Sequence, residues 1–465
     1  MQNLKHKFIG DKAFYVMVFS VLVPIVVQNA ITNFVSLLDN LMVGAIGTEQ
    51  MSGVAIGNQL LFVFYICIFG GLSGAGIFTA QFYGSKNHEG VRETFRMKVW
   101  IALIVMAIAT VVFAFFSEPL VSLYLTDGEG AGDLERTLEY GVQYIRVMMF
   151  GFLPFVVTNI YSSTVRECGK TMLPMKAGIV AVITNLVLNY LLIFGSFGFP
   201  KLGVVGAAVA TVISRYVETA IIVITVHSDK FTYDFMRGCY KTLRIRGSLV
   251  KNIIIKGMPL LWNELLWSVG TATALQCYSI RGLATIAGLN ISSTVTNMFN
   301  VICMAMGNAV AIIVGQALGS GDGEHAKDLA RKIIAFNVFI ALIFGTLMFV
   351  SAPFIPLLYN TTDVVRDLAS SFLRIAALTM PIFAFLHTCY FTLRSGGKTI
   401  ITFIFDSGFM WALTIPLAFC LANFTSMAIV PLYLVVQLAD LIKCSFGAYL
   451  LKKGSWVQNI AADNA

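Results

Sequence analysis

The chain has 465 residues, 57% of them hydrophobic and only 12% charged, with a mean hydropathy of +0.81 and a formal net charge of +8. A soluble domain carries roughly 25% charged residues, so the composition excludes an ordinary globular protein and points to a chain that crosses a bilayer many times. The basic excess does not argue for nucleic acid, because the bases sit in short loops between apolar stretches, the pattern that orients membrane spans.

Windows of about 19 residues give twelve spans, near 14–38, 54–78, 97–116, 141–162, 172–195, 204–226, 253–277, 291–314, 333–357, 370–391, 400–421 and 427–450. The opening MQNLKHKFIGDK resembles a signal n-region, but the apolar stretch behind it is too long for an h-region, so no cleavage is expected. The first span carries Pro24 and ends on Asp39. A carboxylate at the centre of such a helix costs about 2.5–3.5 kcal/mol, and is tolerated where it faces a cavity or partner or is wetted at the interface. Lys5, Lys7 and Lys12 precede this span; Lys86, Arg92, Arg96 and Lys98 follow the second; Arg166, Lys170 and Lys176 follow the fourth; and the longest loop, after the sixth, is strongly basic. The opposite side holds few bases and an acidic loop with Glu118, Asp127, Glu129, Asp133, Glu135 and Glu139. The positive-inside rule therefore predicts both termini in the cytoplasm, with the protein in the cell (inner) membrane.

The chain repeats itself. YSSTVRECGKT (161–171) returns as CYFTLRSGGKT (389–399), and TAQFYGSKN (79–87) returns as VGQALGSGD (314–322), with Gln81 opposite Gln316. Six spans per half is an even number, so the halves lie parallel about an axis along the membrane normal. The expected fold is an all-α polytopic membrane protein, twelve transmembrane helices in two pseudo-symmetric six-helix bundles: lobes over 1–228 and 253–465, joined by a cytoplasmic linker over 229–252. The repeated GKT is no phosphate loop, because Thr164 and Thr392 stand where the motif needs its first glycine and no strand precedes either copy. It predicts a tight turn, and any pumping must draw on an ion gradient.

Ionisable groups within spans are functional candidates by default. Glu218 follows Arg215 by three residues and Asp440 precedes Lys443 at the same spacing, so both read as structural pairs. Asp406 stands alone in its span. Glu264, in PLLWNELLWSVG, has no base within a turn, and its counterpart in the first half is Asn29. Asn185 and Asn189 place two amides on one face of the fifth span. With a carboxylate such as Asp39 and a hydroxyl such as Thr211, they would form an oxygen cage for sodium or a network around a proton site. Glu264 and Asp406 are candidates for a substrate or second cation site. The eight cysteines contain no C-x-x-C and read as packing residues.

LLDNLMVGAIG in the first span, GLSGAGIFTAQFYGSKN in the second and RECGKTMLPMKAGIVAVITNLVLNYLLIFGSFGFPKLGVVGAAVAT through the fifth and sixth resemble multidrug and toxic compound extrusion (MATE) transporters. The resemblance covers nearly the whole chain. It implies two six-helix bundles about a central cleft, and export of organic, often cationic, compounds against inflow of Na+ or H+, with no other cofactor. By matched position, Asp39 is the family's first-helix acid, and Asn185, Asn189 and Thr211 belong to its amino-terminal cation network. Glu264 matches the seventh-helix acid of the sodium-coupled branch, and Pro24 the proline at which the first helix bends in some members. The tenth span departs from that branch, with no acid and only His387 as an ionisable candidate. A monomer in a lipid bilayer, with small organic substrates and no nucleic acid, is the expectation. The alternative is a lipid-linked saccharide or lipid flippase of the wider superfamily, which would want a strongly basic cavity; here only Arg146, Arg215 and Arg374 lie in or near spans. An ion channel would need a selectivity filter or charge ring, and an enzyme a nucleophile–base or metal constellation; neither pattern is present, and the five histidines are dispersed.

Overall fold

Long apolar stretches in a solvent without water must satisfy their backbone internally, and helices do this within one segment. The computed structural model describes residues 8–125 and 133–462, with the backbone alone at 35–37, 40 and 41; Lys5, Lys7, Asp127 and Glu129 lie outside the described residues. Among those residues the chain forms twelve long helices and no strand. They are α1 (Lys12–Gly44), α2 (Thr48–Gly84), α3 (His88–Ser122), α4 (Leu134–Glu167), α5 (Met172–Phe194) and α6 (Val204–Ser228), then α7 (Gly247–Ser279), α8 (Leu283–Gly319), α9 (Gly323–Ser351), α10 (Asp363–Ser395), α11 (Thr399–Phe424) and α12 (Ile429–Lys453). Eleven are long and apolar enough to cross a membrane; α7 has the length, with 33 residues, but Lys256, Asn263 and Glu264 hold its hydropathy down. The protein is a multi-pass membrane protein.

Short polar residues set the helix starts. Asp11 accepts a hydrogen bond from the Phe14 N–H (2.8 Å), Asp133 from Arg136 (3.1 Å) and Asp322 from His325 (2.9 Å), each satisfying a donor that the first turn leaves over. Pro24 lies inside α1, which is continuous through it.

The chain divides into two compact units. The first gathers residues 1–26, 80–87 and 252–465, and the second gathers 27–79 and 88–251. The division cuts α1 two residues after Pro24, so the opening of the chain packs with the later half: Phe14, Val18, Leu22 and Ile25 are buried in one cluster with Met306, Ile313 and Phe405. In the second unit, the segment 229–246 is not a loose connection, and residues 247–252 of the expected linker are already the first turns of α7. Phe235, Met236 and Cys239 are buried, Arg96 donates to the Cys239 carbonyl (2.8 Å), and Arg246 pairs with Glu93 (2.8 Å). The tail after α12 does the equivalent in the first unit. Trp456 and Ile460 are buried, and Gln81 Oε1 accepts from the Ile460 N–H (2.8 Å) while its Nε2 donates to the Ser395 and Gln458 carbonyls (2.9 and 3.1 Å).

The sequence repeat is also a repeat of backbone geometry. At the two GKT segments Gly169 and Gly397 take φ of +77° and +72°, and Lys170 and Lys398 donate back to the Val165 and Leu393 carbonyls. This is the left-handed turn that closes a helix, and it wants glycine because a Cβ is penalised there. Both turns are tight, as the spacing predicts. In the first unit the ends of α2 and α8 cross so closely that a Cβ on Gly84 would strike the Gln316 carbonyl, and one on Gly319 the Gln81 carbonyl.

Candidate cation and substrate site

In the second unit, α1, α2, α4, α5 and α6 enclose a cavity of about 370 Å³ lined by Asp39, Asn58, Tyr65, Tyr144, Asn189, Thr211 and Arg215 together with apolar side chains. The four residues expected to form a cation network are brought together here. Asn189 donates to an Asp39 oxygen at 2.6 Å, and its own Oδ1 is buried without a partner. Asn185, one turn earlier on the same face of α5, is buried behind it. With its amide one way round, Asn185 donates to Thr211 Oγ1 and accepts from Asn189, both at 3.2 Å. Turned over, it donates to both Asp39 oxygens (3.0 and 3.2 Å) and accepts from Thr211. Thr211 is held to the Ala207 carbonyl one turn back on α6 (3.0 Å).

The donor set is therefore a carboxylate, two amide oxygens and a hydroxyl. All are hard oxygen ligands of the kind an alkali cation takes, and the orphaned Asn189 oxygen is one that a bound cation would satisfy. No cluster of three or more His, Cys, Asp or Glu suited to a transition metal occurs among the described residues.

The rest of the cavity lining departs from what the spacing suggests. Arg215 does not close the expected pair with Glu218. Its guanidinium lies over the rings of Phe155 (4.7 Å to the centroid) and Tyr65 (5.3 Å), which are themselves in contact at 4.5 Å between centroids. Tyr144 donates to Asn58 (3.0 Å). The signal was present in that Arg215 follows Thr211 by four residues on one helical face, but Glu218 shares that face and spacing alone does not choose.

The first unit holds the other two candidates in a different arrangement. Asp406 is not the lone acid that its span suggested. Lys443 donates to one of its oxygens (2.8 Å) and Asn263 to the other (3.1 Å), so Lys443 serves Asp406 on α11 and not the expected Asp440 on its own helix. Asn263 Oδ1 also accepts from the Ser407 N–H (3.2 Å) and Oγ (2.8 Å). A side chain that takes a backbone N–H interrupts the α-helical ladder, and α11 runs through wider π-helical turns at Ile404–Gly408 and Met410–Thr414. Glu264 neighbours Asn263 on α7 and is half-buried. His387 stacks on Phe383 (5.5 Å between centroids) and meets Phe391 at a tilt (5.0 Å).

The family model MatE matches residues 24–191 and 259–420, one segment in each half. The chain belongs to the MatE family. Relatives of this MatE protein include the probable multidrug resistance protein NorM of Thermotoga maritima, 23% identical over 93% of this chain and 91% of that one, and the probable multidrug resistance protein YoeA of Bacillus subtilis, 24% identical over 88% and 87%. A mutant of the Vibrio cholerae MATE transporter VcmN has the same fold, with a TM-score of 0.85 at 18% identity over 96% of this chain and 98% of that one. A MOP-superfamily transporter from Pyrococcus furiosus gives 0.84 at 18% identity over 98% and 99%. These likenesses fix the twelve-helix MatE architecture.

Proposed function

We propose that this protein is a secondary active exporter of organic compounds, driven by exchange for Na+ or H+ at Asp39 in alternating access. The observation that carries the reading is the 2.6 Å bond from Asn189 to Asp39 on the wall of a ligand-sized cavity. Neutral amides orient the carboxylate without neutralising it, so a cation has a reason to bind. The printed names of the NorM and YoeA relatives support multidrug resistance as the physiological setting.

Na+ engages the whole donor set of Asp39, Asn185, Asn189 and Thr211, whereas a proton uses the carboxylate alone. In this mechanism cation and substrate compete for Asp39, so loading from outside weakens the hold on substrate. Each ligand shifts the conformational equilibrium only by its differential affinity for the two states. One net charge moved inward across about 150 mV releases roughly 3.5 kcal/mol, enough for a few-hundred-fold gradient of a compound with no net charge. Export of a monovalent organic cation is electroneutral and draws on the chemical gradient only. In the other lobe, Asp406 is answered by Lys443, and Glu264 is the acid assigned to substrate or a second cation. Pro24 is the position at which α1 bends between states. The protein works as a monomer in the cell membrane, with both termini cytoplasmic.

The test is substrate counterflow in proteoliposomes with sodium and pH gradients imposed separately. Uptake driven by one gradient and lost in Asp39→Asn supports the reading and names the ion. Undiminished gradient-driven transport by a folded Asp39→Asn protein would falsify it.

A further inference from the structure

The segment 229–246, between α6 and α7, has an inner and an outer face. On the inner face Tyr233, Phe235, Met236 and Cys239 are buried against the second unit, and Arg96 and Arg246 hold the segment through the Cys239 carbonyl and Glu93. Both of its acids are engaged as well. Asp229 accepts from the Phe231 and Thr232 N–H groups (3.3 and 3.0 Å), and Asp234 lies 3.5 Å from His88 Nδ1. On the outer face Lys230, Arg237, Lys241 and Arg244 are exposed, and none of the four is in an ion pair among the described residues. Among these bases stand three exposed apolar or aromatic side chains, Tyr240, Leu243 and, at 97% exposure, Phe231. In water such a phenylalanine keeps the full cost of apolar hydration. It lies three residues past the end of α6, a spanning helix that also exposes Ile213, Tyr216 and Ile224.

Taking only the cytoplasmic placement of this segment from the reading above, we propose that its outer face is a docking surface for the anionic phospholipid headgroups of the leaflet that α6 leaves. Charge complementarity carries the choice. Four bases without an acid to answer them face outward just beyond a spanning helix, and an anionic leaflet attracts bases placed there. The apolar side chains among them favour lipid over a soluble acidic protein, because Phe231 and Leu243 enter the acyl boundary while the bases stay at headgroup level. The packed inner face adds to this. The segment meets the leaflet as a folded patch, so little chain entropy is lost on docking. Each base within reach of the surface strengthens the contact about fivefold.

The test is amide hydrogen exchange, read by mass spectrometry, on the full-length protein in nanodiscs of phosphatidylcholine with and without phosphatidylglycerol. The anionic lipid is expected to slow exchange across 229–246, and the slowing is expected to vanish at about 1 M salt, where the screening length falls to ~3 Å. A single change such as Arg244→Gln raises the phosphatidylglycerol fraction needed for half the effect by up to about fivefold. The combined variant Lys230→Gln/Arg237→Gln/Lys241→Gln/Arg244→Gln abolishes the effect. Lys452→Gln/Lys453→Gln, which removes exposed bases after α12, leaves it in place. Phe231→Ser weakens the slowing and leaves its salt dependence. Melting temperatures in phosphatidylcholine alone report whether the inner face of each variant is still packed. Equal exchange of the wild type in the two lipids, or slowing that survives in a folded combined variant, would overturn the proposal. Slowing by soluble polyglutamate with none from phosphatidylglycerol would assign the face to an acidic protein and overturn it too. Nanodiscs present both leaflets and no transport is measured, so each of these results stands apart from the exporter reading.

Discussion

Two half-buried carboxylates, one in each half of the chain, are treated in opposite ways. Asp39 accepts from the neutral amide of Asn189 at 2.6 Å; Asp406 accepts from the ammonium of Lys443 at 2.8 Å and the amide of Asn263 at 3.1 Å. An amide orients an anion and lowers the cost of burying it, but leaves its charge to be met by something else. An ammonium meets the charge outright. The first arrangement leaves the charge unmatched, which is what the proposed exchange of a cation at Asp39 requires, and the second is a structural tie between α11 and α12. The two halves have thus kept the repeat in their turns, where the GKT geometry is nearly identical, and abandoned it in their acids.

The largest effect that tests this contrast is at Asp39 itself. Asp39→Asn preserves shape and hydrogen bonding but removes the charge, so cation-driven export falls to background while the melting temperature of the detergent-solubilised protein holds or rises. Next is Asn189→Ala, which removes the orienting amide and the orphaned oxygen together. Residues that orient a ligating group typically cost 10–100-fold in cation affinity, and the half-saturating concentration of the coupling ion should rise by that much with the maximal rate less affected. In the first unit the corresponding experiment reads stability instead. Lys443→Met leaves Asp406 half-buried and unanswered, costing about 2 kcal/mol, and the double variant Lys443→Met/Asp406→Asn recovers most of it. A double variant as unstable as the single would break the contrast, because it would mean that the lysine, and not the pair, carries the packing.

The parts of this fold that depend on composition and local geometry were legible in the sequence, including the helix count, the repeat and the glycine-closed turns. That Asp39, Asn185, Asn189 and Thr211 are neighbours was legible too, Asn185 and Asn189 from their shared face on an otherwise apolar helix and the other two from the resemblance; their role stays a proposal. Lys443 and Arg215 were not. Each has an acid three residues away on its own helix, and a same-helix partner is the natural reading when only spacing is known. The structure prefers partners on other helices: Asp406, 37 residues back, presented by the π-helical stretch of α11, and the Tyr65–Phe155 rings on α2 and α4. Those choices are made by interhelical packing. In a membrane, where an unanswered charge is costly, packing overrules local spacing whenever it offers a better-placed partner.

The smallest predicted effects divide the two clusters most sharply. Thr211→Val is nearly isosteric; it deletes one oxygen from the Asn185 contact at 3.2 Å and gives up only a back-bond to Ala207. One hydrogen bond or ligand is worth about 1 kcal/mol, so the coupling ion should bind about fivefold more weakly with the melting temperature unchanged. Ser407→Ala in the other unit removes a hydroxyl that donates to Asn263 at 2.8 Å and touches no candidate ligand. It should lower the melting temperature by a comparable amount of free energy and leave ion affinity alone. The opposite pattern, with stability following Thr211 and ion affinity following Ser407, would place the exchangeable cation at the Asp406 cluster and make Lys443 its displaceable occupant.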